Sequence, residues 1–345
     1  MKIIVTGANG HLGTNLVGEL LAAGHTVRGS VRYLGDEART AHLRALGPVE
    51  LVEADLSDPK SLREAMDGQD ALLHTAAVYA LYAPGQDDAI VRASVDGIDA
   101  ALRAAKDAGV KRVIVTSSVV ALPLSKPDGD PVGEQQWASD LRVPYVRGKT
   151  EGERRAWVLA DELGLDLATV LPGAFGGPGF QRNTPTIDFI EGIMLGALQL
   201  GAPPFNYPWV DVRDVARAHR LVLEQGARGR FIAINDRQPT VTEIAQTMHG
   251  IDPKIPAPLM TMPSVLMPVL PFLEAIASRI SGTPRSMTRE LAGMLQGRAW
   301  NVSNAKARAE LGWTPSISIK QSLADTIEAI RMRDQRLVGG AARGA

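Results

Sequence analysis

The chain of 345 residues suits two domains or one large two-lobed one, with a core that buries roughly three quarters of its unfolded surface. Its 37 Lys and Arg nearly cancel 38 Asp and Glu, so no global field draws it to nucleic acid or to an anionic membrane. Cysteine is absent, which excludes disulfides, thiolate nucleophiles and cysteine-ligated metals, and the histidines (11, 25, 42, 74, 219, 249) show no His-x-His or His-x-x-x-His spacing, so no metal is expected.

Taken in chain order, short β-branched runs alternate with helical patterns. The strand-like runs are Lys2–Thr6, Thr26–Val31, Val49–Ala54, Ala71–Thr75, Arg112–Ser117 and Asp166–Leu171. Between them, apolar residues at three-to-four spacing predict helices over Leu12–Ala23, Asp36–Leu46, Pro59–Met66, Ile90–Ala108 and Tyr145–Leu163. Apolar strands joined by crossover helices predict an α/β fold with a doubly wound parallel sheet covered on both faces, over residues 1–172.

After Pro172 the pattern loosens. A strand-like Pro208–Val212, a helix Val215–Glu224 and Arg230–Asn235 read as returns to the sheet near 208–235. Segments 173–207 and 236–335 then form a smaller, interleaved C-terminal lobe for substrate, and Arg336–Ala345, rich in Gly and Ala, reads as a flexible tail. No signal-peptide core is present. Two uncharged stretches, Gly192–Val210 and Ile255–Leu273, reach membrane length but are broken by prolines. They read as short buried or ligand-covering helices, so membrane insertion is not expected and a cytoplasmic location is.

The opening strand runs into Gly7-Ala8-Asn9-Gly10-His11-Leu12-Gly13 and then a helix. Gly7 permits the tight turn, Gly10 lets backbone approach a pyrophosphate, and Gly13 lets helix and strand pack closely. The helix N-terminus adds unpaired N–H groups for phosphate. About twenty residues on, Arg28-Gly29-Ser30-Val31-Arg32 holds no carboxylate for a ribose 2′-hydroxyl. Arg32 offers a planar fork for a 2′-phosphate, with Arg39 as a second cation, so the expected cofactor is NADP(H).

Tyr145 and Lys149 form Tyr-x-x-x-Lys at the start of a helical stretch, on one face. A phenol near pKa 10 is a poor acid or base at neutral pH, and a neighbouring ammonium favours its ionised form. With these residues in order, the chain resembles an extended short-chain dehydrogenase/reductase of the NAD-dependent epimerase/dehydratase superfamily. The supporting motifs are Thr6–Gly13, Asp55 in Ala54-Asp55-Leu56, His74-Thr75-Ala76-Ala77, Thr116-Ser117-Ser118, Tyr145–Lys149, and Leu171-Pro172-Gly173 running into Phe175-Gly176-Gly177-Pro178-Gly179. Trp209–Ala216 and the Asn304-to-Pro315 stretch also match, and Thr26–Arg32 resembles the dihydroflavonol-reductase-like branch.

The resemblance implies a Rossmann fold and assigns roles. Ser118 would hold the substrate oxygen, Tyr145 would donate the proton, and Lys149 would tune Tyr145 and bind the nicotinamide ribose. Asn9, His11 and Leu12 belong to the phosphate turn; Asp55 and Leu56 would meet the adenine. Thr75, Ala76, Ala77 and Ser117 would line the cofactor, and Pro172, Gly173 and Phe175 would flank the nicotinamide. Departures are Gly148 for a common Ser, Leu171 for a common Arg, and Ser94 for a common Asn of a proton relay.

Dehydratases of this family carry an acid pair directly after the catalytic Ser/Thr, where this chain has Val119 and Val120. Arg32 argues against the retained NAD of sugar-nucleotide epimerases, and Met260, Met262 and Met267 suggest a lobe for an apolar substrate. The expectation is an NADPH-dependent carbonyl reductase/alcohol dehydrogenase acting on a largely apolar ketone or aldehyde. Tyr79, Tyr82, Phe175, Phe205 and Trp209 are candidates for the substrate wall. The alternatives are a sugar-nucleotide epimerase, a hydroxysteroid-type dehydrogenase and a non-catalytic dinucleotide sensor. Members of the family often dimerise through the helices here at Ile90–Ala108 and Tyr145–Leu163, which makes a homodimer the expectation.

Overall fold

A computed structural model describes residues 1–76, 87–272 and 287–341, with side chains as far as 335. β1 (Lys2–Thr6), β2 (Thr26–Val31), β3 (Glu50–Glu53), β4 (Ala71–His74), β5 (Arg112–Thr116), β6 (Asp166–Pro172) and β9 (Gly229–Ala233) form one parallel sheet in the order β3-β2-β1-β4-β5-β6-β9. Strand order reverses between β1 and β4, which opens a crevice at their carboxyl ends, the place where open sheets of this kind bind ligands.

The apolar runs become strands because helices bury both faces. On one face, α1 (His11–Ala22) and α7 (Val212–Glu224) pack Leu16, Leu20, Val215 and Val222 against Ile3, Val5 and Phe231. On the other, α3 (Pro59–Met66), α4 (Asp87–Asp107) and α5 (Pro144–Leu163) set Leu62, Leu102 and Leu159 against Ile4, Leu72 and Val113. The sequence-based elements match these within a few residues. The largest gaps are at α7, which starts at Val212 rather than Val215, and at α4, which starts at Asp87 rather than Ile90; the acids Asp87 and Asp88 suit a helix N-terminus although they lie outside the apolar pattern.

The second lobe differs from expectation in its strand pairing. Arg230–Asn235 does return to the main sheet as β9, but Pro208–Val212 does not: β8 (Trp209–Asp211) pairs with β7 (Ala174–Gly176) in a separate two-stranded parallel sheet. Gly173 makes this possible, since a Cβ there would lie 2.2 Å from the Pro208 carbonyl oxygen. The expected tail is helical for its first residues, because Ile319–Ala341 continues through Arg336; once nucleated, a helix gains a bond for each residue added. Among the described residues no helix is long and apolar enough to cross a membrane.

The stretch Ile255–Leu273 includes the 3-10 helix Ser264–Val269, and most of its described apolar side chains do not form a wall. Leu259, Met260, Val265, Leu266, Val269 and Phe272 are exposed, while Met267 joins an inner core with Val119, Val146 and Phe205. Prolines at 256, 258, 263, 268 and 271 withhold the N–H groups a longer buried helix would need.

Candidate active site

The crevice begins at the glycine turn. Gly7 has φ +70, and a Cβ on it would sit 3.0 Å from the backbone of Ala76, so the segment after β4 crosses close over the turn. Gly13 is the tightest point of the turn: its Cβ would fall 2.1 Å from the Gly7 carbonyl oxygen. Helix α1 has no side-chain cap and no acid in its first turn, and its first bond runs from Thr14 N–H to Gly10 O at 2.9 Å. An uncapped, acid-free helix start behind a turn of bare backbone fits an anionic pyrophosphate.

The His11 side chain acts as a strut. Its Nε2 lies 3.1 Å from the carbonyl oxygens of both Gly177 and Pro178, and its ring sits between Phe175 and Phe180. Burial pulls its pKa down to about 4, so the ring is neutral and Nε2–H donates. Asn15 makes the same connection, donating to the oxygens of His11 and Pro178 at 2.9 Å. Together they tie the phosphate turn to the Gly-Pro-Gly loop after β7. Thr6 Oγ1 meets His74 Nδ1 at 2.8 Å and Thr75 Oγ1 donates to Thr6 O at 2.7 Å, which locks β1 to β4 at the crevice floor.

Beyond β2, Arg32 is exposed and its charge acts on Asp55. Arg39 is ion-paired with Asp36, and so is engaged within the protein. Asp55 accepts from Ser57 N–H at 2.8 Å and Ser57 Oγ–H at 2.6 Å, which, with Arg32, holds its carboxyl below the usual range. The cap of α3 is Asp58, accepting from Lys60 N–H, so Asp55 shapes the turn rather than the helix end. Leu56 lies against α4, 3.1 Å from where a Cβ of Gly97 would be.

The Ser, Tyr and Lys expected to react lie just past β5 and on the first turns of α5. Ser118 caps the 3-10 helix Val119–Ala121, accepting from Val120 N–H at 3.3 Å, which leaves its hydroxyl proton free to point elsewhere. Tyr145 and Lys149 sit one turn apart on α5, and Tyr145 packs against the inner core that contains Val119, Phe205 and Met267. Lys149 Nζ donates to Thr116 O at 3.3 Å. Enclosure in the crevice pulls Lys149 down to about 8, against an opposing pull from Glu153. Lys149 shares a cleft with Leu56, His74, Ala76, Ser94 and Glu153.

Two departures from the family pattern prove to be neighbours. A Cβ on Gly148 would meet Ser94 Oγ at 3.0 Å, so the missing side chain lets α4 and α5 approach. Ser94 donates to Ile90 O in its own helix at 3.1 Å. Among other candidates, Ser117 donates to Glu153 Oε2 at 2.6 Å, and Pro172 closes β6. Phe175 borders a core and Phe205 is buried within one, whereas Trp209 is fully enclosed and its Nε1 donates to Ser322 Oγ at 3.2 Å, leaving no surface for a substrate. Ala77, Tyr79 and Tyr82 lie outside the described residues.

Sequence reading missed the buried cluster behind the cleft, built on Glu153 and Arg230, and the Thr116–His219 contact at 2.8 Å. Glu153 could have been found from its place one turn beyond Lys149. Arg230, far along the chain, carried no local signal. Among the described residues no cluster of side chains could hold a metal.

Fold and cleft together define a nicotinamide-dinucleotide protein of the short-chain dehydrogenase/reductase kind, with a Tyr and Lys beside the sheet's switch point. The chain belongs to the NAD dependent epimerase/dehydratase family, whose model matches residues 3–235. It is 36% identical to cinnamoyl-CoA reductase 1 of Arabidopsis thaliana over 275 residues, covering 74% of this chain and 76% of that protein. It is 32% identical to a putative dihydroflavonol 4-reductase of Synechocystis over 332 residues, 94% of this chain and 92% of that one. The crystal structure of gox2253 superposes with a TM-score of 0.81 at 29% identity, over 96% and 98% of the two chains.

Proposed function

We propose that this protein is an NADPH-dependent carbonyl reductase acting on a largely apolar ketone or aldehyde. The observation that carries the reading is Lys149, enclosed in the cleft and anchored on Thr116 O at the end of β5, with Tyr145 one turn before it on α5 and Ser118 two residues beyond Thr116. Reductases among the relatives support the same class of reaction. The reduced nicotinamide supplies a hydride when bound. In this reading Ser118 Oγ–H and Tyr145 O–H donate to the carbonyl oxygen, and Tyr145 hands it a proton as negative charge develops. The Lys149 ammonium stabilises the phenolate left behind, and a proton taken up from solvent returns Tyr145 to the phenol for the next turnover.

Preference for the 2′-phosphate rests on Arg32, exposed beyond β2, whereas Arg39 is held by Asp36. Dehydration has no support in the residues after Ser118, since Val119 is buried and Val120 is apolar. The inner core around Tyr145 is apolar and suits a substrate without a sugar diphosphate. The test compares NADPH, NADP, NADH and NAD as stabilisers at equal concentration, then follows NADPH consumption with a panel of apolar ketones and aldehydes. Stronger stabilisation by the phosphorylated forms and turnover with the panel support the reading. Preference for NAD with no consumption would overturn it.

A further inference from the structure

Behind Lys149 lies an ion pair that the proposed reaction does not itself require. Glu153 is 2% exposed and Arg230 7% exposed. Arg230 grips the carboxylate with two donors, Nε to Oε1 at 2.8 Å and Nη2 to Oε2 at 3.0 Å. Thr169 Oγ1–H adds a bond to Oε1 at 2.7 Å and Ser117 Oγ–H one to Oε2 at 2.6 Å. Arg230 is satisfied in turn by the carbonyl oxygens of Glu134 and Gln136, and its guanidinium lies 3.8 Å above the Trp137 ring. So many charge-assisted donors hold the Glu153 carboxylate in one orientation.

The placement of the acid is what distinguishes this pair from an ordinary buried bridge. Glu153 forms part of the wall of the cleft that holds Lys149, one turn along the same face of α5. Facing Lys149 from β4 is His74, neutral because burial pulls it to about 4. From α4 comes the hydroxyl of Ser94, from β5 the carbonyl of Thr116, and from α5 itself Tyr145 and Glu153. Among the described residues lining the cleft, Glu153 is the one carboxylate.

We infer that Glu153, clamped by Arg230, is a positioning residue that keeps Lys149 in its ammonium form in the cleft and thereby sets the pH range over which Tyr145 can act. The inference rests on the roles given to Tyr145 and Lys149 above. Without a counter-charge the enclosed amine would lose its proton too readily, and its hold on the phenolate would weaken. Burial and Glu153 do act on Lys149 in opposite directions, burial being the stronger.

The test removes the charge of Glu153 in two settings, compared with the parent protein: Glu153→Gln, which leaves Arg230 unpaired, and Glu153→Gln/Arg230→Gln, which removes both charges. Lys149 is titrated by NMR of 13C-labelled lysine, assigned by the signal lost in Lys149→Met, and the alkaline limb of kcat for NADPH-dependent reduction is recorded beside it. The expected result is a Lys149 midpoint about one pH unit lower in the folded double variant, with the alkaline limb moving the same way. A cluster with a structural role only would lower thermal stability and overall rate without moving either midpoint, and that result overturns the inference. Should the double variant fail to fold, Glu153→Gln is titrated in its place, and an unmoved Lys149 midpoint there overturns the inference. The NMR titration needs no substrate. If Tyr145→Phe keeps full activity while the Lys149 midpoint still moves, the proposed reaction fails and the electrostatic coupling stands.

Discussion

Two glycines of the phosphate turn should respond in opposite ways to one added methyl group. At Gly13 the Cβ would lie 2.1 Å from the Gly7 oxygen and 2.9 Å from Ala8 Cα, both backbone atoms that cannot swing aside. Overpacking of this kind costs about 3 kcal/mol. With 345 residues and an unfolding entropy of about 2.1 cal/mol/K per residue, Tm should fall by about 4 °C in Gly13→Ala. At Gly10 the backbone has φ −79 and ψ 169, open to any residue, and the Cβ meets only the Gly7 oxygen at 3.1 Å. Gly10→Ala should therefore keep Tm within about 1 °C, a mild surface change. Its NADPH affinity should nevertheless fall about tenfold, or ~1.4 kcal/mol, because the methyl stands where the pyrophosphate must meet bare backbone. Differential scanning fluorimetry reads the first effect and titration of NADPH fluorescence the second. Equal loss of stability in both variants, or parental NADPH affinity in Gly10→Ala, would refute the reasoning.

Other outcomes follow from the same geometry. Arg32→Ala should weaken NADPH binding about tenfold and leave NADH binding unchanged, as read by isothermal titration; an equal effect on both would remove Arg32 from the 2′-phosphate. Acid should destabilise the fold through His11, His74 and His219, each pulled from 6.5 to about 4 by burial. Below pH 6.5 the unfolded chain takes up protons that the folded chain refuses, so stability is complete above that pH and is lost as pH falls toward 4. At pH 5 each histidine has given up about 2 kcal/mol, and the urea midpoint should drop steeply between pH 6.5 and 5; a flat midpoint there would show that these rings are not held neutral.

What could be read in the sequence was what short-range pattern encodes. The β1–glycine turn–α1 unit and the Tyr145–Lys149 pair are local; the turn opens beside the point where the strand order reverses, and Lys149 shares a cleft with His74 and Ala76 at the end of β4. The second lobe was harder because long-range approach decides it. Pro208–Val212 has the composition of a sheet strand, yet its partner is Ala174–Gly176, selected by a close contact at Gly173 that no window of sequence reveals. The methionines read as a single wall were separated by proline-punctuated backbone, with Met267 turned inward and Met260 outward. Trp209 looked like a binding aromatic but fills a core beside the long C-terminal helix. The Glu153–Arg230 cluster joins α5 to β9 across 77 residues, a distance at which charge pattern carries no information about pairing.

Label transfer tests whether Tyr145 assists hydride transfer. NADPH carrying deuterium on the transferring face of C4 would be incubated with an apolar ketone and either the parent protein or Tyr145→Phe, and the carbinol product examined by mass spectrometry. The account predicts deuterium in the product with the parent, and a rate at least about 100-fold lower with Tyr145→Phe while NADPH still binds. Label transfer at the parental rate without the phenol, or no transfer to any ketone or aldehyde by a protein saturated with NADPH, would contradict it.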